Sequence, residues 1–101
     1  MNQTPILVVD DTEELRDLVL MFLSELGHKA HAVENITTAK SWLATNVPPL
    51  MIFDIMLPDG NGLELCRWTR TQEHIKTAPV LMMTAIKDDD TVRDALEMGA
   101  L

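Results

Sequence analysis

The 101-residue chain has a single cysteine, Cys66, so it cannot close an internal disulfide. Positive charge is scarce: 8 Lys and Arg stand against 16 Asp and Glu, a formal charge of -8. A surface of that sign repels a phosphate backbone, which argues against direct nucleic-acid binding and in favour of cations or basic protein surfaces as partners. Long apolar runs are missing as well. The longest, Leu18 to Leu23, falls far short of the roughly 20 residues that cross a bilayer. No basic n-region precedes an apolar stretch at the start. Together these absences predict a cytoplasmic protein with no membrane partner. The glycine spacing of a dinucleotide fingerprint also fails, because the position three after Gly62 is Leu65.

What is present is 47% hydrophobic residues, enough for one core and too short a chain for two domains. Ile6-Leu7-Val8-Val9 is apolar without alternation, the pattern of a strand buried on both faces of a parallel sheet. Thr12 is placed to cap a following helix in which Leu15, Leu18, Val19, Phe22, Leu23 and Leu26 form the main apolar face, with Gly27 as its stop. His28 to Val33 predicts a second strand, and Asn35 caps a helix from about Ile36 to Ala44 that closes at Pro48 and Pro49. Leu50 to Phe53 is a third strand ending in Asp54. A loop with Pro58, Gly60 and Gly62 leads from it to a helix over about Leu63 to Thr71. Pro79 to Met83 predicts a fourth strand ending at Thr84, followed by a helix capped by Asp88, Asp89 or Asp90 and stopped at Gly99. Alternating strands and helices build a doubly wound α/β sheet, whose functional residues gather at the carboxyl ends of the strands.

Those ends read Asp10-Asp11, Asp54 and Thr84. Acidic residues opening a helix can simply satisfy its N-terminus. Carboxylates from two separate strands, however, repel one another when brought together, and a hard divalent cation such as Mg²⁺ relieves that repulsion with oxygen ligands. An aspartate beside such an ion can attack a phosphoryl donor, and the Thr84 hydroxyl could bond a phosphoryl oxygen. The histidines His28, His31 and His74 show no ligand spacing and read as surface or structural residues. Cys66, Trp42, Trp68 and the Met82-Met83 pair read as packing.

The segments Ile6 to Asp11, Asp54-Ile55-Met56-Leu57-Pro58-Asp59-Gly60-Asn61-Gly62 and Pro79 to Ala85 together resemble the receiver domain of bacterial two-component response regulators, in the right order along the whole chain. The resemblance implies a flavodoxin-like sheet of strand order 2-1-3-4. It implies Asp54 as phosphoacceptor, and Asp10, Asp11, Asp54 and the Met56 carbonyl around Mg²⁺, with Asp10 acting mainly through water. It also implies Thr84 as the switch hydroxyl, and a sensor histidine kinase or histidine phosphotransfer protein as donor. Receivers continue beyond Gly99-Ala100 into a fifth strand bearing a lysine and a fifth helix, so residues 1 to 101 are expected to form a receiver domain incomplete at its C-terminus. Lys40, Lys76 and Lys87 do not sit at that strand end.

Three functions follow as expectations: a phosphoryl-accepting switch with slow self-dephosphorylation, an aspartate-nucleophile phosphatase, and an interaction module whose phosphorylation is vestigial. The second usually needs an acidic residue two positions after the nucleophile, where this chain has Met56. Met56 and Ile86, both apolar, also flank the expected site. Leu20 and Met21 lie off the expected main face of the first helix, which suits either packing against a fifth helix or docking of a kinase or phosphotransfer partner. The apolar fourth strand, as a sheet edge, or the first helix predicts self-association.

Overall fold

The computed structural model describes residues 4–83. Four parallel strands form the main sheet: β1 (Ile6–Val9), β2 (Ala30–Val33), β3 (Met51–Asp54) and, numbered in chain order, β6 (Val80–Met83). Their spatial order is β2-β1-β3-β6, the 2-1-3-4 order expected for the first four sheet strands. Helices α1 (Glu13–Glu25), α2 (Ile36–Leu43) and α3 (Gly62–Thr69) supply the crossovers. The expected helix after Thr84 lies outside the described residues.

Alternation along the strands divides the core between the two faces. Leu7, Val9, Met51, Phe53 and Val80 join Ile36, Ala39 and Leu43 of α2 and Leu63, Leu65 and Cys66 of α3 in the larger cluster. Ile6, Val8 and Ile52 point the other way, where Val19 and Leu23 of α1 pack with Ala30, Ala32, Leu50 and Met83. Cys66 is buried as expected, and burial pushes its thiol up, against the smaller opposing effect of Arg70. Trp42, Trp68 and Met82 pack at the margin of the larger cluster. His31 stacks on Trp42 at 5.1 Å, Lys40 lies 5.2 Å from the Trp68 ring, and His74 Nε2 lies 2.7 Å from the Leu43 carbonyl oxygen. These are structural contacts.

Two expectations for α1 are corrected. Thr12 occupies the N-cap position, but its side chain makes no capping bond; its amide instead donates to Asp10 Oδ1 at 2.8 Å, so the preceding aspartate orders the turn. The main face is also narrower than its apolar sequence suggests. Leu15, Leu18, Phe22 and Leu26 are 38%, 44%, 56% and 69% exposed, whereas Arg16, Val19, Leu20 and Leu23 are half-buried. The reason is geometric. The short apolar patch of Ile6, Val8 and Ile52 takes Val19 and Leu23 from one stripe at helical spacing, and the surplus apolar residues fall beside it. Leu20 is half-buried, while Met21 is exposed.

The helix stop behaves as expected. Gly27 takes a positive φ of 84°, its amide bonds the Ser24 carbonyl at 3.0 Å, and the His28 amide bonds the Leu23 carbonyl at 2.8 Å. This double closure satisfies carbonyls that the helix end leaves free. Asn35 caps α2 by accepting from the Thr38 amide at 2.8 Å.

Candidate functional site

Parallel pairing aligns Val9 with Phe53 and Asp54 with Met83. The residue after Val9 is thereby brought level with the last residue of β3. One ligand oxygen each from Asp10, Asp11 and Asp54 lies within 4.8 Å of the others. The convergence expected from the strand ends is thus present for these three residues. Thr84 lies outside the described residues.

The three carboxylates differ in surroundings. Asp10 is fully buried, its Oδ1 is taken by the Thr12 amide, and its Oδ2 has no hydrogen-bond partner among the described residues. A buried carboxylate oxygen without a donor is costly. Its place in an acidic cluster makes a cation the natural compensation, and three carboxylate oxygens fit a hard divalent ion such as Mg²⁺. Arg16 Nη1 holds the Asp10 backbone carbonyl at 2.7 Å, which secures the end of β1. Asp11 is exposed. At Asp54, burial pushes the carboxyl above its ordinary value, followed by the charge of Asp10; the Met56 amide opposes this, and the charge of Asp11 adds to the rise. The amide contact is long, 3.4 Å from Met56 N to Asp54 Oδ1.

The loop after Asp54 is more ordered than its proline and glycines predict. Met56–Leu57 (β4) and Gly60–Asn61 (β5) form a small antiparallel hairpin. Its base is closed by the Gly62 amide on the Ile55 carbonyl at 2.7 Å, and Asn61 Oδ1 caps α3 at the Leu63 amide, 2.7 Å away. Gly62 is required by space: a Cβ there would drive into the backbone carbonyl oxygen of Asp54. The exposed side chain of Met56 stands on this hairpin. Sequence reasoning missed the roles of Gly62, Arg16 and Asp59. The close approach of Gly62 to the Asp54 carbonyl depends on how the hairpin folds back, and the bonds of Asp59 to the start of α2 on an element distant in sequence; only the glycine itself was a signal.

A cleft of about 470 Å³ lined by Thr4, Ile6, His28, Lys29, Val47, Pro48 and Pro49 lies at the amino end of the strands. The ionisable groups converge at the opposite end, and their chemistry marks the candidate site. No helix among the described residues is long and apolar enough to cross a membrane.

Comparison with known proteins agrees with this fold. The transcriptional regulatory protein GltR of Pseudomonas aeruginosa is 36% identical over 99 residues, covering 98% of this chain and 41% of that protein. The phosphate regulon transcriptional regulatory protein PhoB of the same organism is 33% identical over 95 residues, covering 94% of this chain and 42% of that one. The chain thus spans about two fifths of the length of these curated relatives. Among solved structures, the BeF3-activated N-terminal receiver domain of Klebsiella pneumoniae RstA superposes with a TM-score of 0.86 at 30% identity, covering 95% of this chain and 80% of that one. With the family profile of the response regulator receiver domain matching residues 6–101, the chain belongs to the receiver-domain family of two-component response regulators.

Proposed function

We propose that this receiver domain accepts a phosphoryl group on Asp54, with Mg²⁺ held by Asp10, Asp11, Asp54 and the Met56 carbonyl. The observation that carries this reading is the meeting of three carboxylates within 4.8 Å around a buried Asp10 oxygen that lacks a donor. Among them, Asp54 is the nucleophile: it ends the central strand β3 and is half-buried, whereas Asp10 is enclosed and Asp11 opens to solvent.

The donor is a phosphohistidine of a sensor kinase or phosphotransfer protein. An Asp54 oxygen forms a bond to phosphorus as the nitrogen–phosphorus bond breaks. The imidazole nitrogen leaves with that electron pair and takes up a proton, and Asp54 becomes a mixed acyl phosphate. The bound cation supplies charge neutralisation between the carboxylate cluster and the incoming phosphoryl oxygens. Asp10 is held in place by the Thr12 amide and by the Arg16 bond to its carbonyl. Asp11 faces the solvent side, from which the donor approaches. Thr84 contributes the hydroxyl that bonds a phosphoryl oxygen and biases the domain between two conformations. Water attack at phosphorus later returns the free carboxylate and inorganic phosphate, which makes the domain a self-resetting cytoplasmic switch and not a turnover enzyme.

Intact-mass measurement after acetyl phosphate and Mg²⁺ tests the reading. One added phosphoryl group is expected, lost in Asp54→Asn and with EDTA. Equal labelling of the variant would remove Asp54 from its role.

A further inference from the structure

Asp59 sits at the tip of the β4–β5 hairpin, five residues after Asp54 in sequence. It is not one of the three carboxylates that converge. Its side chain turns instead to the start of α2. Oδ1 accepts from the Ile36 amide at 2.8 Å, and Oδ2 accepts from the Thr37 amide at 2.9 Å and the Thr37 hydroxyl at 2.8 Å. The Ile36 amide above all, with the Thr37 groups, holds this carboxyl below the usual carboxylate range.

This helix already has a local cap, because Asn35 occupies the Thr38 amide. Asp59 therefore satisfies the two amides of the first turn that a local cap leaves free. The bond spans 22 and 23 residues of sequence, so it does more than end a helix. α2 is anchored in the large core through Ile36, Ala39 and Leu43, and is rigid compared with a hairpin of two residues per strand, which has little stability of its own. The hairpin is fastened at its base by the Gly62–Ile55 bond, within the core by Leu57, and at its tip by Asp59.

We propose that Asp59 is a positioning residue: by clamping the hairpin tip to the N-terminus of α2, it fixes the Met56 backbone beside Asp54 and thereby sets the affinity of the site for a divalent cation. The inference rests on the metal-dependent phosphoacceptor reading above. Its physical basis is that a carbonyl ligand binds well only if it is already in place, so freedom in the turn appears as lost affinity.

The test compares two caps of one helix by calorimetric titration with MgCl2 in the full chain. Asp59→Ala is expected to raise the Mg²⁺ dissociation constant about ten-fold, the lower end of what loss of a ligand-orienting partner costs. Asn35→Ala removes the neighbouring cap from the same helix and is expected to leave the constant unchanged. Asp59→Asn, which keeps one acceptor oxygen, should fall between wild type and Asp59→Ala. In acetyl phosphate labelling, Asp59→Ala should need more Mg²⁺ for half-maximal rate yet match wild type within about two-fold at saturation. If Asp59→Ala does not fold, Asp59→Asn against Asn35→Ala decides in its place. An Asp59 variant no different from Asn35→Ala overturns the clamp while leaving the phosphoacceptor reading intact. A wild-type chain that binds no Mg²⁺ overturns that reading and the clamp with it.

Discussion

Replacing Asp54 by Asn removes one of three charges that the fold forces together, and the resulting change in stability follows from their separation. At 4.8 Å and an effective dielectric near 20, each like-charged pair repels by about 3.5 kcal/mol. Asp11 is exposed and its share is strongly screened, so relief comes mainly from the Asp10 pair and is reduced further by the solvent open to Asp54. A net gain of about 1 kcal/mol is a reasonable expectation, equivalent to a rise in Tm of about 4–8 °C for a domain of this size. Calorimetric melts in EDTA at neutral pH measure it directly. The pH dependence has a definite sign. Because the folded-state pKa of Asp54 is raised, its ionisation opposes folding above that pKa, and the penalty disappears as pH falls below the ordinary carboxylate value. The advantage of Asp54→Asn should therefore shrink on acidification. Mg²⁺ should act the other way: at 100 times the dissociation constant it stabilises a binding protein by about 2.7 kcal/mol, which the variant largely forgoes, so the order of Tm values should reverse. A variant that melts at or below wild type in EDTA would refute the view that the three carboxylates are in repulsive proximity.

The remaining expectations concern neighbouring residues. In the proposed arrangement Asp11 would coordinate directly and Asp10 through water, so Asp11→Ala should weaken Mg²⁺ binding more than Asp10→Ala in calorimetric titrations; the opposite ranking would exchange their roles. Gly62→Ala sets a Cβ against the Asp54 carbonyl oxygen and should cost about 1–3 kcal/mol in chemical denaturation, together with phosphorylation at Asp54; an unchanged midpoint would show that the hairpin base yields freely. Neither Met56 nor Ile86 can orient an attacking water, so Met56→Asn combined with Ile86→Glu should shorten the acyl phosphate half-life in a radiolabel chase. An unaltered half-life would place control of water elsewhere.

Local chemistry was enough to reveal much of this protein. Uninterrupted apolar runs ending at Asp10 and Asp54 identified buried parallel strands, Asn35 and Gly27 marked helix ends, and the aspartates at strand ends pointed to the carboxylate cluster that the fold assembles. Each of those signals sits within a few residues of the feature that it specifies. The strand order could be anticipated only through family resemblance, and tertiary structure decided what depends on distant partners. The sequence reads as one broad apolar face on α1, from Leu15 to Leu26, and only the position of Ile6, Val8 and Ile52 selected from it the stripe containing Val19 and Leu23. Thr12 looks like a helix cap until Asp10 claims its amide. Gly62 and Asp59 carry no sign in sequence of the Asp54 carbonyl or the α2 amides that they meet, because hydrogen bonds and steric limits between elements exist only once the hairpin has been packed against the end of β3 and the start of α2.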